Sequence, residues 1–582
     1  MNIIWLVLIP APLFFLAYRY YSGYIARSFG EDSSRPTPSV ELNDGRDFCP
    51  TNSGVVFSHH FASIAGAGPI LGPTIAVIYG VFPVWLWLIA GVILIGATHD
   101  YTALFISMRE KGQSIAQITH DTLGRTAYVI MIGFTIIMLI LVTSAFLVAS
   151  AKALTSLVSL VDMGLAPDQT LLKTEISGDV VKGRIGGIAS MSVIIITIFA
   201  PVLGYMYYRL KFSGWSITPL ALGICIISIL IGIEKPVILP PVLWMFLLSA
   251  YTLVAAGVPV WVLLQPRDFI NVFILYGGIL VLFLSIIFCG LTGTEIQLPA
   301  FSLQEGQHHL GFIWPVMFIT VACGAISGFH SLVAGGTVSK QVTSETAARR
   351  IGYLGMLLES LFAICVVGAL AAGLNADQYV KLVFPKTGGG NPILAFSLGM
   401  SHLLKQGLNI PLAYGTIFGI LMVEGFVATT LDTGVRLNRY LFEELWKTSF
   451  KNPPVLLKKF WFNSTLAVVL MLIFGLSNAF NAIWPLFGTA NQLLAAFTLI
   501  VAAAWMFIRK RKTWFLLIPA VFMTITTVVS LVNLAAQYIK QGNLILGSAD
   551  IVLILLTAGL ILFSIKLYIH LRSGKSAEGI PF

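Results

Sequence analysis

Residues Ser58–Gly72 read SHHFASIAGAGPILG, placing two histidines, three glycines and a proline inside an apolar run that extends from Val55 to Gly80. Proline removes a backbone donor and clashes with the carbonyl of the preceding turn, and glycine favours no single backbone well. A helix over this run is therefore predicted to break between Gly66 and Pro69. In hydrocarbon the freed N–H and C=O groups are costly unless protein, water or a ligand satisfies them. A broken span of this kind must line a cavity or pack within protein.

A second such stretch follows at Ala322–Lys340, ACGAISGFHSLVAGGTVSK. It sets Gly324, Gly328, Gly335 and Gly336, the hydroxyls of Ser327, Ser331, Thr337 and Ser339, and His330 inside another apolar run. Two discontinuous helices at corresponding positions of two halves point to the substrate site of a secondary transporter. On that reading Gly66, Gly68, Pro69, Gly72, Gly324, Ser327, Gly328 and Ser331 are the expected substrate-binding positions. Close helix packing through small residues is the competing reading for either stretch alone.

Composition sets the class. Of the 582 residues 57% are hydrophobic and 10% charged, with a mean hydropathy of +0.89, whereas soluble domains carry roughly a quarter charged residues. The apolar runs recur along the whole length, so the chain reads as a single all-α polytopic membrane domain of about 15 spans. The first span and a polar loop occupy 1–54, the core 55–508, and the C-terminal spans 509–582. The broken spans are the second, 55–80, and the ninth, 311–339. Residues 160–185, 375–410 (with the flexible GGGN at 388–391) and the basic segment 446–459 are expected as loops.

The net charge of +10 would point to acidic partners in a soluble protein; here the placement of the charges matters more. About 26 of the 35 Lys and Arg lie after odd-numbered spans, among them Arg46, Arg267, Arg436, Arg439 and Lys575. The remaining loops hold few, with Asp162, Asp168, Glu175 and Asp179 nearby. This alternation predicts an outside N-terminus and an inside C-terminus, and gives no support to nucleic-acid binding. An odd separation of the broken spans makes their directions opposite, as a five-plus-five inverted repeat with two helices between its halves requires. The five cysteines are scattered singly, with no CxxC spacing, and imply neither a disulfide framework nor a zinc site.

Ionisable groups inside spans are expensive and mark function. His59, His60 and His330 stand at the breaks and are candidates to take and release a coupling proton; each can equally donate to a freed carbonyl. Asp100 in GATHDY, beside His99, can pair with a histidine across helices or bind a cation. Glu359 in LLESL and Glu424 in MVEGF lie deep in the tenth and eleventh spans, where a neutral carboxyl suits a proton carrier, and Asp432, in ATTLDTG with Thr429, Thr430 and Thr433, can ligate a coupling cation or cap and orient the inside end. Asn491 and Gln492, in WPLFGTANQLLA, form an amide pair suited to interhelical hydrogen bonds, and Asn491 joins the substrate-binding set. No GxxxxGK[ST], HExxH or GxSxG pattern occurs, so a nucleotide-driven pump and the common hydrolases lack their signatures.

These stretches together resemble a known family. DGRDFCPTNSGVVFSHHFASIAGAGPILGP followed by GATHDYTALFISMREKGQSI closely resembles the signature region of the carbon starvation protein A family of bacterial inner-membrane proteins. ACGAISGFHSLVAGGTVSKQ, IGYLGMLLESL, TTLDTGVRLNRY and WPLFGTANQLLA are similar to its later blocks, so the likeness runs from about Leu42 to Ile508. Phe48 and Cys49 depart from the tyrosine and aliphatic residue expected there. The resemblance implies uptake of scarce nutrients during carbon starvation, either peptides or pyruvate taken up with protons. It also implies a LeuT-like repeat of the APC superfamily and no cofactor. The expected partners are a small-molecule substrate, a coupling proton or cation, and the bilayer. A channel whose broken spans form a filter is the alternative from another class.

Overall fold

Both predicted breaks are present in the computed structural model, which describes residues 1–44, 48–178, 180–259, 261–386, 389–478 and 480–572. Arg46, Asp179, Gly388 and Lys575, used above for charge and flexibility, lie outside the described residues. Among the described residues eleven helices are long and apolar enough to cross a membrane, and the pair Ser53–Ile64 and Gly68–Tyr79, bent by 43°, makes up to twelve. The other expected spans fall on shorter or interrupted helices: Trp5–Leu8 through Ser22–Phe29, Pro241–Gly257, and Ile313–Thr320 followed by Ala322–Ala325 and Phe329–Gly336.

The helices that build the functional region, numbered in chain order, are α1 (Ser53–Ile64), α2 (Gly68–Ala76), α3 (Val81–Arg109), α4 (Arg125–Leu154), α5 (Ile185–Tyr208), α6 (Pro241–Gly257), α7 (Leu264–Leu291), α8 (Phe329–Gly336), α9 (Glu345–Gly373), α10 (Pro392–Leu408), α11 (Leu412–Ser449) and α12 (Phe480–Ile508). The long helix α11, 38 residues, runs about 57 Å at the usual helical rise, well beyond a hydrocarbon core of roughly 30 Å. It packs against α4, α5, α6, α7 and α10 and so organises one side of the bundle.

Three expected loops are structured. Residues 160–185 carry most of a small antiparallel sheet, β1 (Val158–Ser159), β2 (Thr174–Ser177) and β3 (Val180–Gly183), in the order β1-β3-β2 with Glu175 opposite Lys182. Residues 375–410 form the helix Ala376–Val383, opened by an Asn375/Gln378 capping box, and α10, whose first turn is capped by Asn391 with Pro392 at its start. At about 26 Å α10 is too short to have registered as a span. It is held by small-residue contacts: Gly399 lies against Gly373 and Ala369, and Ser397 and Ser401 lie against Gly419 and Gly415 of α11. The basic segment 446–459 begins inside α11.

Several cations read from sequence as loop charges hold helices together instead. Arg436 donates to the carbonyls of Ala255 (2.7 Å) and Val258 (2.6 Å), and Arg439 to that of Ala256 (2.9 Å). They satisfy the C-terminal carbonyls of α6, which a helix cannot pair internally and which favour a cation. Arg267, in the first turns of α7, is 2% exposed.

Replacing Gly419 by Leu drives a branched side chain into Ser397. Thermal unfolding of the purified protein is expected to shift down by the equivalent of about 1–3 kcal/mol. The same change at Gly223, where an added Cβ meets nothing within 4 Å, should leave the transition in place.

Candidate functional site

The two breaks face one another. α1 ends at Ile64, the chain turns through Ala65 (ψ 63°), and α2 restarts at Gly68. In the second stretch Ile326 is extended (φ −159°, ψ 118°) between Ala322–Ala325 and α8. A Cβ at Gly68 would overlap Cys323, and one at Gly72 would strike the Thr320 carbonyl and Val321. Glycine at these two positions is what lets the broken helices touch.

Asn491 of α12 closes the second break. Its Oδ1 accepts from the Phe329 N–H (2.9 Å), its backbone carbonyl from the Gly328 N–H (3.1 Å), and its Nδ2 donates to the Ser327 hydroxyl (3.1 Å). The first N–H groups of a helix have no partner within it, so a side chain from a neighbouring helix does here what an N-cap does locally. The amino end of α8 is therefore already occupied at Gly328 and Phe329.

Between the breaks lies a cavity of about 20 Å³, room for about one water. Of the residues predicted from sequence, Gly66, Gly68, Pro69, Ser327, His330 and Asn491 line it. Cys323 and Thr430 join them, and Phe146 of α4 and Phe487 of α12 wall it off. Gly72, Gly324, Gly328 and Ser331 support it from outside the lining: Gly324 packs against Ala363 and Leu88, and the Ser331 hydroxyl donates to the Gly328 carbonyl (2.7 Å). None of the lining residues is acidic.

His330 carries the cavity into a buried polar chain. Its Nδ1 meets Asp100 Oδ2 of α3 at 2.7 Å, and its Nε2 lies 3.5 Å from Glu359 Oε2 of α9. The other oxygen of Asp100 pairs with His99 Nδ1 at 2.7 Å. His330 is 1% exposed and the other three are fully buried. Asp100 and His330 stand within hydrogen-bond reach, so a proton can move between oxygen and nitrogen there, while Glu359 faces Nε2 with neither of its oxygens hydrogen-bonded among the described residues. Of the neighbouring histidines, His60 is buried with neither ring nitrogen hydrogen-bonded and His59 is exposed.

Glu424 and Asp432 belong to a different cluster. Asp432 pairs closely with Arg267, which also donates to the Tyr251 hydroxyl (2.6 Å) and to Asp268 (2.9 Å). Tyr251 donates in turn to Asp432 (2.8 Å), and Thr429 to Asp268 (2.9 Å). The cation beside Asp432 is thus a guanidinium. Sequence reading placed Arg267 in a loop and passed over Tyr251; an arginine within three residues of a predicted span start was the available signal. Glu305, His308 and His309 are, among the described residues, the group able to gather three metal ligands. None of them lines the cavity.

The model of the carbon starvation protein CstA family matches residues 2–388 and 383–530. The chain belongs to this family. Among curated CstA-family relatives, the peptide transporter CstA of Escherichia coli (strain K12) is 31% identical over 90% of this chain and 80% of its own length. The pyruvate/proton symporter BtsT of the same organism is 29% identical over the same shares. The peptide transporter CstA of Bacillus subtilis (strain 168) is 30% identical over 90% of this chain and 89% of its own. A crystal structure of the Eremococcus coleocola manganese transporter covers 92% of this CstA-family chain and 99% of its own, at 13% identity and a TM-score of 0.35. That likeness is too slight to bear on the fold.

Asn491→Ala removes the acceptor for the Phe329 N–H and is expected to lower unfolding stability by about 1–3 kcal/mol. Asn491→Asp keeps an acceptor there and should lose less. Thermal unfolding of both variants in the same detergent checks the order.

Proposed function

We propose that this CstA-family chain is a secondary active transporter of the bacterial inner membrane. It imports small nutrients, a pyruvate-like carboxylate in preference to a peptide, with protons and by alternating access around the two broken helices. The observation that carries this reading is the buried Asp100–His330–Glu359 chain with one face of His330 in the cavity between the breaks. A proton taken up by that chain lowers the negative charge beside the cavity and can put an imidazolium in its lining, which a substrate carboxylate can meet. The backbone at Gly66 and Gly68 and the hydroxyls of Ser327 and Thr430 offer further polar groups. A peptide also needs an acidic partner for its amino end, and the lining has none. The names of the relatives support transport of peptides or of pyruvate with protons, and a cavity with room for one water supports a carrier that must open over an open pore.

The finer architecture is part of the proposal: about 15 spans with the N-terminus outside and the C-terminus inside, and a LeuT-like five-plus-five repeat with the broken helices as the first members of its halves. The alternation of the Lys and Arg that remain in loops, with Arg267, Arg436 and Arg439 set aside, supports the orientation.

In proteoliposomes, labelled pyruvate is expected to accumulate under an imposed inward proton gradient and to be competed by unlabelled pyruvate, with a labelled dipeptide taken up less. His330→Gln, which alters the cavity lining itself, should lose accumulation and weaken exchange, whereas Glu359→Gln, behind the lining, should lose accumulation while pyruvate exchange at equal pH persists. Flux that rises without saturation and never exceeds equilibrium would favour a channel. Accumulation that survives collapse of the proton gradient would remove the coupling.

A further inference from the structure

A second cavity of about 20 Å³ lies between α5, α7 and α11, lined on its polar side by Ser192, Arg267, Asn271 and Glu424. Glu424 is 1% exposed. Its Oε1 accepts from the Ser150 hydroxyl of α4 (2.6 Å), while its Oε2 is buried with no partner among the described residues. A carboxylate with an unpaired oxygen in a membrane interior is costly, and the nearby arginine is already engaged by Asp432 and Asp268. Protonating Oε2 removes the charge and turns an orphan acceptor into a donor, for which a water in the cavity is the partner. A hard metal cation takes about six oxygen ligands. This cavity offers one free carboxylate oxygen and one amide beside a guanidinium, and so suits a proton.

The groups that face the cavity from each packed element are few. Arg267 of α7 is the charged one besides Glu424 itself; α7 also brings Asn271 and α5 brings Ser192, while Ser150 of α4 and Tyr251 of α6 stand behind the lining on Glu424 and Asp432. α10 and the helix Phe460–Ser477 contribute no lining side chain. Asp432 lies eight residues along α11 from Glu424, and Asp268 of the Arg267 network is 34% exposed.

We propose that Glu424 is a second proton-binding carboxyl of the transport cycle, separate from the His330 chain and exchanging with inner water past Arg267 and Asp268. In the step, hydronium in the cavity water gives its proton to Oε2 of the carboxylate and becomes water, and release reverses it. The proposal rests on the orientation and proton coupling given under Proposed function.

pH-jump infrared difference spectra of the purified full chain in lipid test it directly. A carboxyl C=O band is expected that Glu424→Gln abolishes, Glu359→Gln leaves, and Ser150→Ala shifts in frequency because the hydroxyl on Oε1 is gone. In proteoliposomes Glu424→Gln should keep pyruvate exchange at equal pH and lose accumulation driven by a proton gradient. Coincident wild-type and Glu424→Gln spectra, or unaltered accumulation, would overturn it. If the wild type itself fails to accumulate pyruvate the transport reading falls, while the infrared band still decides whether Glu424 binds the proton.

Discussion

Hydrocarbon offers no hydrogen-bond partner, so a chain that breaks two helices inside a membrane must satisfy them from within. In this protein the requirement converges on Asn491, which takes the Gly328 and Phe329 N–H groups with its carbonyl and amide oxygens and ties Ser327 to the same point. Gly68 and Gly72 then let the other broken helix lie directly against Cys323 and Thr320. The cavity is what remains between two breaks pressed together. Its small size follows from the same contacts that stabilise it, so on the proposed reading admitting a substrate means moving one broken helix away from the other.

The polar side chains divide along the same geometry. His330, carried by the restarted helix α8, connects the cavity to Asp100 and Glu359 on α3 and α9. Any displacement of α8 alters those distances, and on the proposed reading the protonation of the chain in turn biases where α8 sits, the reciprocity that a proton-coupled carrier needs. Glu424 and the Arg267–Asp432 pair occupy a second region, built from α4, α6, α7 and α11.

Much of this was legible in the residues because glycine, proline and intramembrane charge carry strong local signals. The break at Gly66–Pro69, the break near Gly328, and His330 as a polar group at the second were each readable from residue type alone. Sequence reading failed where the outcome depends on partners distant in the chain. Nothing local in ILAFSLGMSHLL announces that Ser397 and Ser401 will seat against Gly419 and Gly415, so α10 read as a loop. Arg267, Arg436 and Arg439 read as loop cations because a basic residue near a span end is usually solvated. Here the carbonyls of Ala255 and Ala256 and the carboxylate of Asp432 claim them instead.

Cys323 lines the cavity between the breaks and provides a native probe of its access. With Cys49, Cys225, Cys289 and Cys365 replaced by Ala, labelling of Cys323 by a membrane-impermeant maleimide, in right-side-out and in inverted vesicles, measures exposure from each side. Alternating access around the broken helices predicts labelling from both sides, slowed in each case by saturating pyruvate. Labelling from one side only, or equal rates with and without pyruvate, would contradict it.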